Sequence, residues 1–413
     1  MALLDGLIRL PEEILEEILQ NLDVCAHLKT VIKASPKLIY KIELTQAGMV
    51  DNPLIKLSYS ERLAKLRRRC RAWDNLDWQD FSITVTGLCH AYELVNGAFM
   101  KLILDHDFIV ARLPSVNVPR HEIRRHDLDI RAPAEHKDFW LHVRSFTNHE
   151  AHPLARLPVL EFSVYRQHGT WVQSLVIEIA GDVVAEGSIQ VHAFRSEQGA
   201  QSIQVATLLL PELEATAQII SFSNHTGPFE TPPSDELFAT APTARIHVLS
   251  ISYLAIFAHN ASMNFRLYVH NNTFLSFLND ELFNTPLQNA EFIPWSSWGP
   301  KTTRMIPVGL VDYRWLRYVH GERVVLPVGA SGHKDTVEVL NFNRDSSRNH
   351  FDPPSTVIEP GIFKEAVVTE LPYTRTSRKI SGDFFAFMID AQRIIALKAE
   401  DDEEVGGLHV FAL

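Results

Sequence analysis

Apolar and polar positions alternate with a helical period over the first 73 residues. Between Pro11 and Leu22 the apolar side chains fall at Ile14, Leu15, Ile18, Leu19 and Leu22, which is one stripe along a helix. Pro11 suits the first helical position, where its missing N–H would have no partner anyway. Glu12 and Glu13 sit where the helix dipole favours negative charge. A second helix is predicted over 26–32. A third is announced by Ser58-Tyr-Ser-Glu61, an S-x-x-E capping box, and carries Leu63, Leu66 and Cys70 on one face. Beyond residue 79 the period changes. Short runs of Val, Ile, Phe and Tyr recur between Gly, Pro, Asn and Asp clusters, which predicts strands over 81–86, 92–104, 175–180, 189–194, 265–269, 336–342 and 384–389. Strands without intervening helices exclude a doubly wound α/β fold. Stretches 112–138, 228–242 and 343–360 read as long loops.

The strand region also repeats itself weakly. A polar residue followed by a short apolar strand recurs at Asp107, Asp182, Asp235, Asp280, Glu322 and Gln392, and two D-E-L-F copies start at 235 and 280. An alternating strand closed by an apolar or aromatic residue recurs as SIQVHAF at 188–194, TVEVLNF at 336–342 and GLHVFAL at 407–413. Repeats of this size in an all-β region point to propeller blades, about six to eight of them. Chance recurrence of common strand tripeptides, or two sandwiches, is the alternative. The expected architecture is α plus all-β: a small helical domain over 1–75, then a large β-propeller-like domain over 76–413. No Gly-His…Trp-Asp signature marks standard WD repeats.

Charge sharpens this division. Residues 1–72 hold 12 Lys/Arg against 9 Asp/Glu, whereas the chain as a whole carries a net −11. A basic field suited to nucleic acid is therefore absent, and no nucleic-acid partner is expected. No apolar run is long enough to span a bilayer, so no membrane association is expected either. The start lacks the basic region and cleavage site of a secretory signal. Three cysteines at no zinc spacing (Cys25, Cys70 and Cys89) fit a reducing, cytoplasmic or nuclear setting.

Candidate chemistry is thin. His149-Glu-Ala-His152 is one residue short of H-E-x-x-H, and Pro153 follows it. Arg124 and Arg125 discourage a cation between His121 and His126. No phosphate loop is present, and Ser331 in Gly329-Ala-Ser-Gly332 is a turn residue rather than a nucleophile. The sequons at Asn224, Asn260 and Asn271 carry no weight without secretion. No metal, cofactor or catalytic residue is assigned, and no enzyme is expected. Arg67-Arg68-Arg69 with Arg71 reads first as a solvated helix face, with nuclear import or nucleic-acid contact as the alternative. Trp295, Trp298, Trp315 and Tyr318 read first as core, with a binding platform as the alternative.

One resemblance joins these observations. Leu10-Pro-Glu-Glu-Ile-Leu-Glu-Glu-Ile-Leu-Gln-Asn-Leu-Asp23 resembles the opening of an F-box, L-P-x-E-[IL]-[IL]-x-x-I-[IL]-x-x-L-[DS], at every specified position. Ser35-Pro-Lys-Leu-Ile-Tyr-Lys-Ile-Glu-Leu44, Gly48-Met-Val-Asp-Asn-Pro53 and Ala72-Trp73 resemble a large group of F-box proteins from mushroom-forming fungi. So do Phe265-Arg-Leu-Tyr-Val-His270, Trp298-Gly-Pro300, Arg317-Tyr-Val-His-Gly321, Leu371-Pro-Tyr373 and Met388-Ile-Asp390 nearer the end. The resemblance implies the substrate-receptor subunit of an SCF-type cullin-RING ubiquitin ligase. The F-box would dock on the ligase adaptor, and through it on cullin, while the β domain selects a protein substrate. Leu10, Pro11, Ile14, Leu15, Ile18, Leu19 and Leu22 are the expected adaptor contacts, since each buried aliphatic contributes about 1.5–3 kcal/mol. The chain departs from the family pattern at 23–35, where about two helical turns are missing. The alternative is thus a non-ligase interaction scaffold with a degenerate F-box, in which the stripe packs internally.

Overall fold

The computed structural model describes residues 32, 34–84, 91–95, 98–102, 107–112, 122–127, 138–142, 159–163, 187–193, 203–227, 236–241, 243–255, 261–277, 291–309, 318–328, 335–343, 354–382, 384, 386–400 and 404–413. The described residues are mostly β-sheet with few helices: α1 (Pro36–Gln46), α2 (Tyr59–Asn75), α3 (Asn271–Leu275) and α4 (Trp295–Thr302). None of them is long and apolar enough to cross a membrane.

Local sequence accounts for both long helices. Ser35 caps α1 by accepting the Leu38 N–H, and Pro36 occupies its first position. The predicted capping box at α2 is present: Ser58 Oγ accepts the Glu61 N–H, and the Glu61 carboxylate accepts the Ser58 N–H at 2.9 Å. Both helices bury one face, with Tyr40 and Leu44 meeting Leu63 and Leu66. The short strand between them, Met49–Asp51, pairs antiparallel with Phe238–Thr240, and Phe238 completes their shared core.

Antiparallel sheets follow in chain order. The first holds Ala91–Val95, Ala98–Leu102, Asp107–Arg112 and Glu122–Asp127, and a two-stranded sheet follows from Asp138–His142 and Val159–Ser163. The region predicted as one strand over 92–104 thus holds two antiparallel strands, Ala91–Val95 and Ala98–Leu102. Ser188–Ala193 and Ile203–Leu209 form the next sheet, joined in parallel by Glu291–Ile293. The longest sheet comprises Ala217–Thr226, Ile246–Ala255, Ala261–His270 and Thr303–Val308. What we term the distal sheet holds Val319–His320, Arg323–Val328, Thr336–Asn341 and Thr374–Lys379 in that order. The terminal sheet is made from both ends of the strand region. Ala386–Ile389, Arg393–Glu400 and Glu404–Ala412 lie side by side, and Gln79–Thr84 pairs with the last of them from Gln79 opposite Ala412 to Thr84 opposite Gly407.

The distal and terminal sheets share one apolar core that includes Val324, Val339, Phe342, Phe387, Ile395, Val410 and Phe411, each at most 3% exposed. Two of the three recurring motifs hold equivalent places. TVEVLN and the strand ending GLHVFA are each the third strand of their sheet, whereas SIQVHA is an edge.

Candidate functional site

Helix α2 is where the helices meet the sheets, and its sequence shows how. Arg62, Leu63, Leu66 and Trp73 are buried, and Arg69 and Cys70 continue that face toward the sheets. Arg69 Nη2 donates to the carbonyl of Ala391 at 2.8 Å, in the turn between two strands of the terminal sheet. That turn is held by Asp390. Its Oδ1 accepts the N–H groups of Gln392 (2.8 Å) and Arg393 (2.7 Å), and its Oδ2 accepts Arg393 Nη1 at 2.8 Å. Trp73 packs under the Arg323 guanidinium, 4.8 Å from the ring centre, on the distal sheet.

The end of α2 is fixed as firmly. Leu76 adopts a left-handed conformation (φ 50°) where a helix usually ends in glycine. Its side chain is fully buried, which offsets the backbone strain, and its carbonyl accepts Arg378 Nη1. The Arg378 guanidinium lies 4.3 Å from the centre of the Trp78 ring, whose other contact is Phe411, with ring centres 4.6 Å apart. α1 is clipped too, since Asn343 Nδ2 donates to Gln46 O at 2.9 Å.

Behind these contacts lies a buried polar cluster. His320 is 4% exposed, and its Nε2 lies 3.1 Å from Thr240 Oγ1 while its Nδ1 has no partner among the described residues. Burial pushes its pKa down to about 3, and the nearby Arg69, Arg323 and Arg245 guanidinia push the same way against Asp390. Burial likewise lowers the pKa of Arg69 and of Arg323, and raises that of Glu236 beside them. His270 Nδ1 accepts the Asn272 N–H at 3.2 Å, so the proton sits on Nε2 and is donated to Glu322 Oε1 at 2.6 Å. A small polar niche of about 10 Å³, room for about one water, lies between Gly48, Thr240, Glu322, Arg323 and Asn343.

The arrangement is a set of holding contacts between helix and sheets. Cys70 is the only described free thiol, and burial raises its pKa, which keeps it protonated. Among the described residues no three His, Cys, Asp or Glu side chains are grouped to hold a metal.

The sequence-predicted positions divide clearly. Leu10, Pro11, Ile14, Leu15, Ile18, Leu19 and Leu22 lie outside the described residues, as do His149, His152, Ser331, Trp315, Cys25 and Cys89. The arginine run splits. Arg68 and Arg71 are exposed and Arg67 pairs with Glu43 at 2.5 Å, which agrees with a solvated face, but Arg69 is built into the junction. Helical spacing contains that signal, since Arg69 follows Leu66 by three residues. Trp298 and Tyr318 are core residues, with Trp298 Nε1 donating to Leu209 O at 2.9 Å. Trp295 packs edge-on against Trp298 at 5.1 Å, over Gly299, where any Cβ would lie 2.3 Å from the ring. Sequence reasoning missed His320, Asp390 and Arg323, whose roles depend on contacts across the fold. No protein-family model matches the chain, and no curated protein matches it significantly.

Proposed function

We propose that this chain is the substrate-receptor subunit of an SCF-type cullin-RING ubiquitin ligase, with a propeller-like β domain of about six to eight blades as its substrate-binding part. The motif from Leu10 to Asp23 supports the adaptor contact. Antiparallel sheets in chain order, and the pairing of Gln79–Thr84 with Glu404–Ala412, support the propeller reading, because a ring of blades needs its two ends joined.

The observation that carries the reading is the fixed junction. α2 touches the distal sheet through Trp73 and the terminal sheet through Arg69, so the helix is held against both sheets, as a receptor that joins two binding partners requires. A receptor of this kind has no active site of its own. It works by raising the effective concentration of the target's lysines at the ligase.

The test is co-purification of the full chain with the SCF adaptor, alongside Ile14→Glu with Leu19→Glu. Binding that the double substitution abolishes is expected. Failure of the unaltered, folded chain to bind would favour a non-ligase interaction scaffold, the reading that the shortened 23–35 segment supports.

A further inference from the structure

The two edges of the distal sheet are unlike. Val319–His320 is buried, whereas Thr374–Lys379 exposes Arg375, Ser377, Arg378 and Lys379. The register sets where this outer strand's backbone points. The Ile380 N–H donates to Asp335 O at 2.7 Å, so residues 380, 378, 376 and 374 direct their backbone groups at the neighbouring strand. Residues 375, 377 and 379 then direct theirs outward. Among the described residues no strand pairs with that side, and the backbone groups of Ser377 and Lys379 have no backbone partner there.

The strand's composition is one-sided. The run TRTSRK holds three cations, two threonines and a serine, and no carboxylate. Arg375 reaches Glu338 at 3.5 Å and Tyr373 Oη at 3.1 Å, Arg378 lies on Trp78, and Lys379 makes no ion pair among the described residues. Like charges on an edge repel a second copy of the same strand. The same charges attract a strand with carboxylates at alternate positions, since opposed cross-strand charges stabilise pairing.

We propose that Thr374–Lys379 is a docking edge for an extended acidic peptide, which adds to the distal sheet as a further strand. Outward N–H and C=O groups supply the pairing, and Lys379, with Arg375 on the same face, supplies selection. At about 3.3 Å per residue the six-residue edge takes a segment of about that length. The proposal is independent of adaptor binding, and its test uses no ligase component.

The probe is a fluorescein-labelled heptapeptide of alternating Asp and Val, titrated by anisotropy with the full chain. Alternating Lys–Val and Asp–Pro peptides accompany it, the latter keeping the charge but losing the N–H of every second residue. Asp–Val is expected to bind at least about tenfold more tightly than either. Ser377→Pro removes an outward donor and no inward one, and is expected to weaken binding by about tenfold or more, while Ser377→Ala stays within about twofold. Lys379→Glu is expected to weaken binding as well. Thermal unfolding reports whether Ser377→Pro folds; if it does not, Lys379→Glu and the Asp–Pro peptide decide. Absence of Asp–Val binding, or equal binding of Asp–Pro and by the variants, would overturn the proposal.

Discussion

The terminal sheet and the α2 junction draw on the same apolar core but differ in the groups set around it. In the terminal sheet, Phe387, Ile389, Ile394, Ile395, Leu397 and Val410 are fully buried, and burial of apolar surface stabilises the pairing of distant chain ends. The junction adds polar and charged groups to its buried Trp73 and Leu76: His320, Asp390 and Arg393 are buried, and Arg69, Arg323 and Glu236 are half-buried. Apolar side chains carry no pH dependence and tolerate exchanges of similar volume, so the sheet's own response to pH is confined to His409, whose pKa burial lowers. A buried polar network requires each partner and each protonation state, so it fixes one geometry at the risk of losing it. The comparison therefore predicts one robust region and one conditional region, side by side.

The largest effect is expected in the terminal sheet. Phe387→Ala leaves a cavity in the core shared with the distal sheet, and should lower unfolding stability by about 3–5 kcal/mol in urea titrations. The effect should be the same at pH 5 and pH 7.5. A markedly larger loss at the lower pH would mean that the two regions do not differ as described.

The junction should instead show a pH slope. Burial pushes the pKa of His320 down to about 3, below the ordinary 6.5, because it disfavours the charged form. Below pH 6.5 the unfolded chain takes up a proton that the folded chain refuses, so stability falls as pH drops from about 6.5 toward that value. At pH 5 the His320 contribution is a loss of roughly 2 kcal/mol relative to neutral pH. His320→Gln should remove that part of the slope, as followed by denaturation at several pH values. An unchanged slope would exclude His320 as its source.

The smallest effect is expected at the rim. Arg378→Ala removes the stacking on Trp78 and the bond to Leu76 O, and should cost about 1 kcal/mol in thermal unfolding. A loss as large as that of Phe387→Ala would move the weight of the account from the core to the rim.

Part of this architecture was legible in the sequence. The capping box at Ser58, the strands over 189–194, 265–269, 336–342 and 384–389, and the helical-to-strand change near residue 79 all depend on neighbours a few residues apart. The division into Ala91–Val95 and Ala98–Leu102 was hidden in a run that looked continuous. The pairing of Met49–Asp51 with Phe238–Thr240 crosses nearly half the chain and that of Arg69 with Ala391 crosses 322 residues, and no local pattern encodes either. The candidate site was therefore the least legible part. Its residues are ordinary arginines, a histidine and an aspartate whose roles exist only once the sheets are assembled.

Trp73 and Arg69 tie α2 to the sheets, so the two should open together. Native-state hydrogen exchange of the α2 amides, compared with those of the terminal sheet, reads this out. Similar protection is expected in both, with a parallel loss in both when Trp73→Ala weakens the junction. Exchange of α2 several orders of magnitude faster than that of the terminal sheet would contradict it, and would make the helices an independently opening attachment.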